Sequence, residues 1–195
     1  MNLAEHDDDD AMKVWLSRKE VRQLLEHVRD DTQHYVALGL AARSGLRSEE
    51  VTEVAPADVV ETNADLMVRV DDGKGGKYRE TPIPEGLAST IRAVGDVRDA
   101  PLDEPVVDVS TRTLRRWCNA AGDGLADQTA EPGWRELSMH DLRRTWGTLL
   151  QASDVDDKVV MRWGGWSRLE TYLDAYHGSY SPEVQLRERQ KVPWL

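Results

Sequence analysis

One change of period constrains this chain more than any other feature. Apolar residues recur at helical spacing along most of its length, but between Pro56 and Pro84 the pattern switches to strand, turn and strand. "DLMVRV" (65–70) alternates as a strand does, "DDGKGGK" (71–77) supplies turn residues, and "YRETPIP" (78–84) returns as the partner. A short strand near "DVVET" (58–62) completes a small antiparallel sheet. Before it, Ser17 and Glu20 form a capping box ahead of the stripe Val21, Leu24, Leu25 and Val28. "TQHYVALGLAARSG" predicts a second helix stopped by Gly45, and "RSEEVTEV" a short third. After Pro84 helices are expected over 85–94, 110–121 and 138–152, with a Gly, Asp and Pro loop at 122–134. "DDKVVMRWGGW" gives a short helix broken at Gly164 and Gly165, and "SRLETYLDAYHG" one capped by Ser167 and Glu170 and stopped by Gly178. The chain restarts at Ser181, with Pro182 in the first turn. The fold class is mainly α with a small antiparallel β-sheet.

A length of 195 residues suits one domain. Residues 1–11, with four consecutive aspartates at 7–10, read as a disordered acidic tail, 12–180 as the domain, and 181–195 as a C-terminal helix or tail. No apolar run approaches the about 20 residues a membrane helix needs, so no membrane partner is expected. The start lacks the basic and apolar regions of a signal peptide. The one cysteine, Cys118, excludes an intramolecular disulfide and a Cys-cluster zinc site. A cytoplasmic, DNA-associated location is the expectation. The net charge of −11 argues at first sight against a nucleic-acid partner. Yet only six of the 25 basic residues are lysine, aspartate is prominent and phenylalanine is absent, the composition expected of a salt-adapted protein. In such a chain the placement of arginine says more than the total charge.

The basic residues fall into order. "SGLRSEEV" sets Arg47 just past Gly45, between two helices, and the hairpin turn carries Lys74. "LSMHDLRRTWGTLL" (137–150) puts His140 and Arg143 three apart at the start of a helix capped by Ser138 and Asp141, so they share a face. Trp166 and then Tyr176 follow. Together these segments resemble the tyrosine recombinase family, the phage or Xer-type integrases. Gly45, Leu46, Arg47 and Glu50 match its first arginine box, Gly73 to Arg79 its lysine hairpin, and His140 with Arg143 its His-x-x-Arg box. Gly165 and Trp166 match its Gly-His/Trp element, with Trp166 where the family more often has His. The resemblance covers about residues 12–185 and implies the family's catalytic domain. The usual N-terminal helical domain, which completes the clamp around DNA, is missing from the match; a minimal integrase, a fragment or a domestication product is expected.

The chemistry the family performs suits these residue types. A phosphodiester repels nucleophiles, so cleavage needs fixed positive donors where charge builds up. The resemblance assigns that role to Arg47 and Arg143, whose planar forks bond phosphate oxygens in pairs. It gives Lys74 the proton for the departing 5′ oxygen, His140 a bond to phosphate or the nucleophile's proton, Trp166 an indole N–H donor, and Tyr176 the attack that forms a 3′-phosphotyrosine link. No cofactor and no metal are implied. The partners implied are double-stranded DNA and further copies of the chain assembled on it. Tyr172, Tyr176 and Tyr180 recur every four residues, so Tyr180 remains second choice as nucleophile and Tyr172 third. Lys77 reads as a solvated turn residue, Glu50 as structural, Asp141 as the cap partner of Ser138, and Arg144 as facing solvent or DNA. A catalytically silent DNA-binding module and a type IB topoisomerase-like relaxing enzyme are the alternatives.

Overall fold

The computed structural model describes residues 1–5, 12–71, 78–176, 182–192 and 194. Strands β1 (Asn2–Glu5) and β2 (Met12–Trp15) form an antiparallel ribbon with Asn2 opposite Trp15. The expectation of a disordered tail over 1–11 therefore fails for residues 2–5. Val14 and Trp15 are buried, and that fixes β2 as a template on which β1 pairs, a contact that composition does not disclose. Helix α1 (Arg18–His27) starts at the expected capping box, with the Ser17 backbone N–H donating to Glu20 at 2.7 Å. Helix α2 (Thr32–Ser44) is buried nearly all round from Val36 to Ala42 and forms the axis of the core, packed on α1 and on the later helices α4 and α6.

The short helix α3 (Ser48–Val51) and a 3₁₀ turn at Pro56–Asp58 lead into the sheet. Strands β3 (Val59–Thr62), β4 (Asp65–Val70) and β5 (Arg79–Pro82) lie in that order, antiparallel, with Val68 opposite Val59 on one side and Thr81 on the other. Then come α4 (Glu85–Val97), α5 (Thr111–Thr129), a 3₁₀ turn at Pro132–Glu136, α6 (Met139–Gln151), α7 (Asp157–Gly164), α8 (Leu169–Tyr176) and α9 (Pro182–Gln190).

Helix α4 runs three residues past the expected end, and α5 runs through most of the expected loop at 122–134. Cys118, Ala121, Leu125 and Ala126 continue the buried stripe of α5. Gly122 interrupts it for packing, because a Cβ there would overlap the Trp134 carbonyl. The main core joins α1, α2, α4, α5 and α6 through fully buried Leu24, Leu38, Ile91, Leu114, Leu125 and Leu142. Truncating any one to alanine costs about 2–5 kcal/mol. A second, smaller core of Trp146, Val160 and Tyr172 seats α7 and α8 on α6. Helix α9 is held by Arg187, which donates to the Ala152 carbonyl at 2.9 Å and ion-pairs with Asp154 at 3.0 Å. Among the described residues no helix is long and apolar enough to cross a membrane.

Candidate active site

Helix α6 is fixed first at its own N-terminus. The Ser138 backbone N–H and hydroxyl donate to one Asp141 oxygen at 2.9 and 2.6 Å, and the Asp141 N–H returns to Ser138 Oγ. The second Asp141 oxygen accepts from the Val14 N–H at 3.2 Å and from Arg144, while Thr145 Oγ1 accepts from the Leu16 N–H at 3.0 Å. Strand β2 is thereby tied to one face of α6, which also packs on α2 and α7. Arg144 is buried, paired with Asp141 and lying 5.6 Å over the Trp15 ring. The expectation that it faces solvent or DNA is corrected: Trp15 covers it, and the buried carboxylate of Asp141 needs a cation.

Arg143 leaves α6 on the other side and is buried as well. Its guanidinium donates to the carbonyls of Gly45 and of Gly164, the latter at 2.6 Å, and lies 4.1 Å over the Trp166 ring. Gly45 is the left-handed C-cap of α2, with φ of 69°. A Cβ at that position would overlap the Trp146 indole, so the junction needs glycine for conformation and for space. Two residues on, Arg47 caps α3. Its backbone N–H donates to one Glu50 oxygen and its Nη1 to the other, both at 2.7 Å, and its side chain stays 40% exposed.

Each Glu50 oxygen is shared. Arg79, at the start of β5, donates to the same pair at 2.8 and 2.7 Å, and its Nε donates to the Trp163 carbonyl at 2.9 Å. Both Glu50 and Arg79 are buried. Burial alone would raise the Glu50 pKa, but the hydrogen bonds and charge of Arg79, then those of Arg47, hold it down at about 2. Trp166 stacks on Trp146 with ring centroids 6.2 Å apart and meets Tyr172 edge-on at 5.6 Å. It is half-buried and flanks an open cavity of about 430 Å³, lined by Met67, Tyr78, Arg79, Met161 and Trp163 among others.

His140 stands at the start of α6, exposed as a whole residue but with its imidazole closely surrounded by protein. Its pKa lies below the ordinary value because surrounding protein strips hydration from the imidazolium and because Arg144, Arg143 and Arg47 repel the charge; Asp141 opposes the shift. Of the six expected site residues, Arg47, His140, Arg143 and Trp166 are thus brought together. Lys74 lies outside the described residues, in the connection between β4 and β5. Tyr176 closes α8, and its side chain, like Tyr180, lies outside what is described. Tyr172 is fully buried with its hydroxyl on Asp157 at 2.8 Å, which removes it as a candidate nucleophile. Arg79 falls within the hairpin pattern, but that pattern assigns it no role. Its sequence signal was its place as the last residue of the Gly73 to Arg79 hairpin pattern.

This geometry can hold an anion by fixed donors and offer it a neutral imidazole. The sequence profile of the phage integrase family matches residues 14–181, and the chain belongs to that family. It is similar to the tyrosine recombinase XerA of Thermococcus kodakarensis, with 28% identity over 157 residues, which is 80% of this chain and 55% of that protein. A crystal structure of XerA recombinase superposes with a TM-score of 0.75 and 23% identity, covering 92% of this chain and 65% of the other. The Tn1549 transposon integrase in complex with transposon right end DNA gives a TM-score of 0.69 and 17% identity, covering 96% and 69%. The chain spans about half the length of the curated relatives it matches.

Proposed function

We propose that this chain cleaves and rejoins double-stranded DNA as a site-specific recombinase, with Tyr176 as nucleophile. The observation that carries the reading is the convergence of Arg47, His140 and Arg143 at the Gly45 junction. The phosphate sits against the half-exposed Arg47 fork and the Arg143 side of α6, with the indole N–H of Trp166 as a further donor. The Tyr176 oxygen attacks phosphorus and gives up its proton to His140, whose lowered pKa keeps the imidazole neutral and able to accept it. The phosphorus–O5′ bond breaks, and the departing oxygen takes a proton from Lys74. The phosphoester bond energy is retained in the tyrosyl link, so rejoining by the reverse steps needs no ATP. Tyr176 is preferred because it ends its helix, whereas the Tyr172 hydroxyl is occupied.

The test uses short nicked duplexes of randomised sequence, with covalent protein–DNA adducts resolved on denaturing gels. The intact chain is expected to form adducts and Tyr176→Phe to bind the same duplexes without forming any. Adducts from Tyr176→Phe but not from Tyr180→Phe move the nucleophile to Tyr180. Binding with no adduct from the intact chain leaves a silent DNA-binding module, and relaxation of supercoiled plasmid without strand exchange a relaxing enzyme.

The proposed domain organisation is a catalytic unit over 12–180, extended by β1, and a segment 181–195 that exchanges between copies assembled on DNA. The partly exposed, polar Arg187 contacts that hold α9 on its own chain support a releasable tail. Deleting 181–195 is expected to leave a folded domain that assembles poorly on DNA by light scattering. Equal assembly with and without the segment rejects the exchange.

A further inference from the structure

The contacts around the site close into a ring. Arg47 binds Glu50, Glu50 binds Arg79, and Arg79 binds the Trp163 carbonyl. The next carbonyl, Gly164, accepts from Arg143, and Arg143 also donates to the carbonyl of Gly45, two residues before Arg47. Each hydrogen bond in it goes to a buried or half-buried group, covalent backbone joins Trp163 to Gly164 and Gly45 to Arg47, and the ring passes through α3, β5, α7 and α6. From this the geometry points to Arg79 as a positioning residue that sets the spacing between Arg47 and Arg143. The inference rests on the recombinase reading above.

Three features carry it beyond a structural tie. Arg79 and Arg47 donate to the same two oxygens of Glu50, so the rotamer of one fixes the acceptor of the other. The third donor of Arg79 reaches the C-terminal turn of α7, whose next carbonyl is already taken up by Arg143. Lysine has no fork with which to hold both ends, since its ammonium is a single point of charge. A buried ion pair is also weak evidence for stability on its own, because apolar replacements often serve as well. Its fork geometry matters where two phosphate ligands must be held at a set distance, and displacement of such a group by about 1 Å costs about 100-fold in rate.

The test compares Arg79→Lys, Arg47→Lys and the double variant in the full chain, on duplexes recovered as adducts from the randomised pool. Single-turnover cleavage at saturating DNA, DNA affinity and thermal melting are measured for each. Arg79→Lys is expected to melt cooperatively, to bind DNA within about threefold of the unaltered chain, and to cleave about 100-fold more slowly. Because it acts through Arg47, the double variant is expected to be no slower than the slower single one. Losses that multiply in the double variant, or near-normal cleavage by folded Arg79→Lys, overturn the inference while leaving the recombinase reading in place. Normal cleavage by Arg47→Lys overturns that reading, and the inference with it. If Arg79→Lys does not fold, Arg79→Gln with Glu50→Gln leaves no buried charge behind and carries the same comparison against Glu50→Gln alone.

Discussion

Glu50 gives the site a measurable signature in stability against pH. Its carboxyl is held at about 2, against an ordinary value of 4.5, because the Arg79 and Arg47 bonds outweigh the cost of burying the charge. A pKa depressed in the folded state contributes stability that is fully present above the unfolded value and is lost as pH falls toward the folded one. The difference corresponds to about 3 kcal/mol at neutral pH, of which about 1 kcal/mol is gone by pH 3.5 and nearly all by pH 2. Glu50→Gln removes this dependence and leaves the Arg79 guanidinium buried against a neutral amide, a loss of about 3–5 kcal/mol at neutral pH. Urea unfolding of both proteins at a series of pH values and constant ionic strength isolates the group, because the other carboxylates cancel in the difference. The gap between the two proteins is expected to narrow by about 1 kcal/mol between pH 7 and pH 3.5. A gap that stays constant over that range refutes the account of Glu50 as an ionised, doubly bonded carboxylate.

Gly45→Ala combines a left-handed backbone with overlap against Trp146, and is expected to lower stability by about 2–4 kcal/mol in urea unfolding and to reduce adduct formation by shifting the carbonyl that Arg143 binds. Wild-type stability in that variant contradicts the junction geometry. The aspartate-rich, lysine-poor composition predicts thermal stability that rises across a salt series. A maximum at low salt contradicts salt adaptation.

Elements with a local signal were legible from the sequence. The capping boxes at Ser17 and Ser138 start helices where expected, the hairpin strands fall on "DLMVRV" and "RETP", and Gly45 ends α2. What was misread depended on partners distant in the chain. Gly122 and Gly124 looked like loop residues, but they let α5 approach the Trp134 carbonyl and His27 closely. Arg144 looked like a surface cation because its cover, Trp15, lies far back along the chain. At the site, the ordered boxes gave Arg47, His140, Arg143 and Trp166 as a group. The contacts of Arg79 were not legible, since its partners Glu50 and Trp163 lie in separate segments on either side of it.

The same pairing bears on how an acidic chain meets the anionic partner proposed for it. Net charge acts through a screened field that fades within about 8–10 Å at physiological salt, so distant aspartates weigh little at the site. Among the described residues Glu50 and Asp141 are the two buried carboxylates, and each is paired with arginine. Arg47 and Arg79 pair with Glu50 and Arg144 with Asp141, while the Arg143 guanidinium donates to the Gly45 and Gly164 carbonyls. His140 reports its surroundings, since loss of hydration lowers its pKa first and Arg144, Arg143 and Arg47 lower it further. On the proposed reading, the arginines that hold the phosphate also add to the loss of hydration that keeps the imidazole neutral. A neutral imidazole can accept the tyrosine proton at pH 7, whereas an imidazolium, already protonated on both nitrogens, cannot.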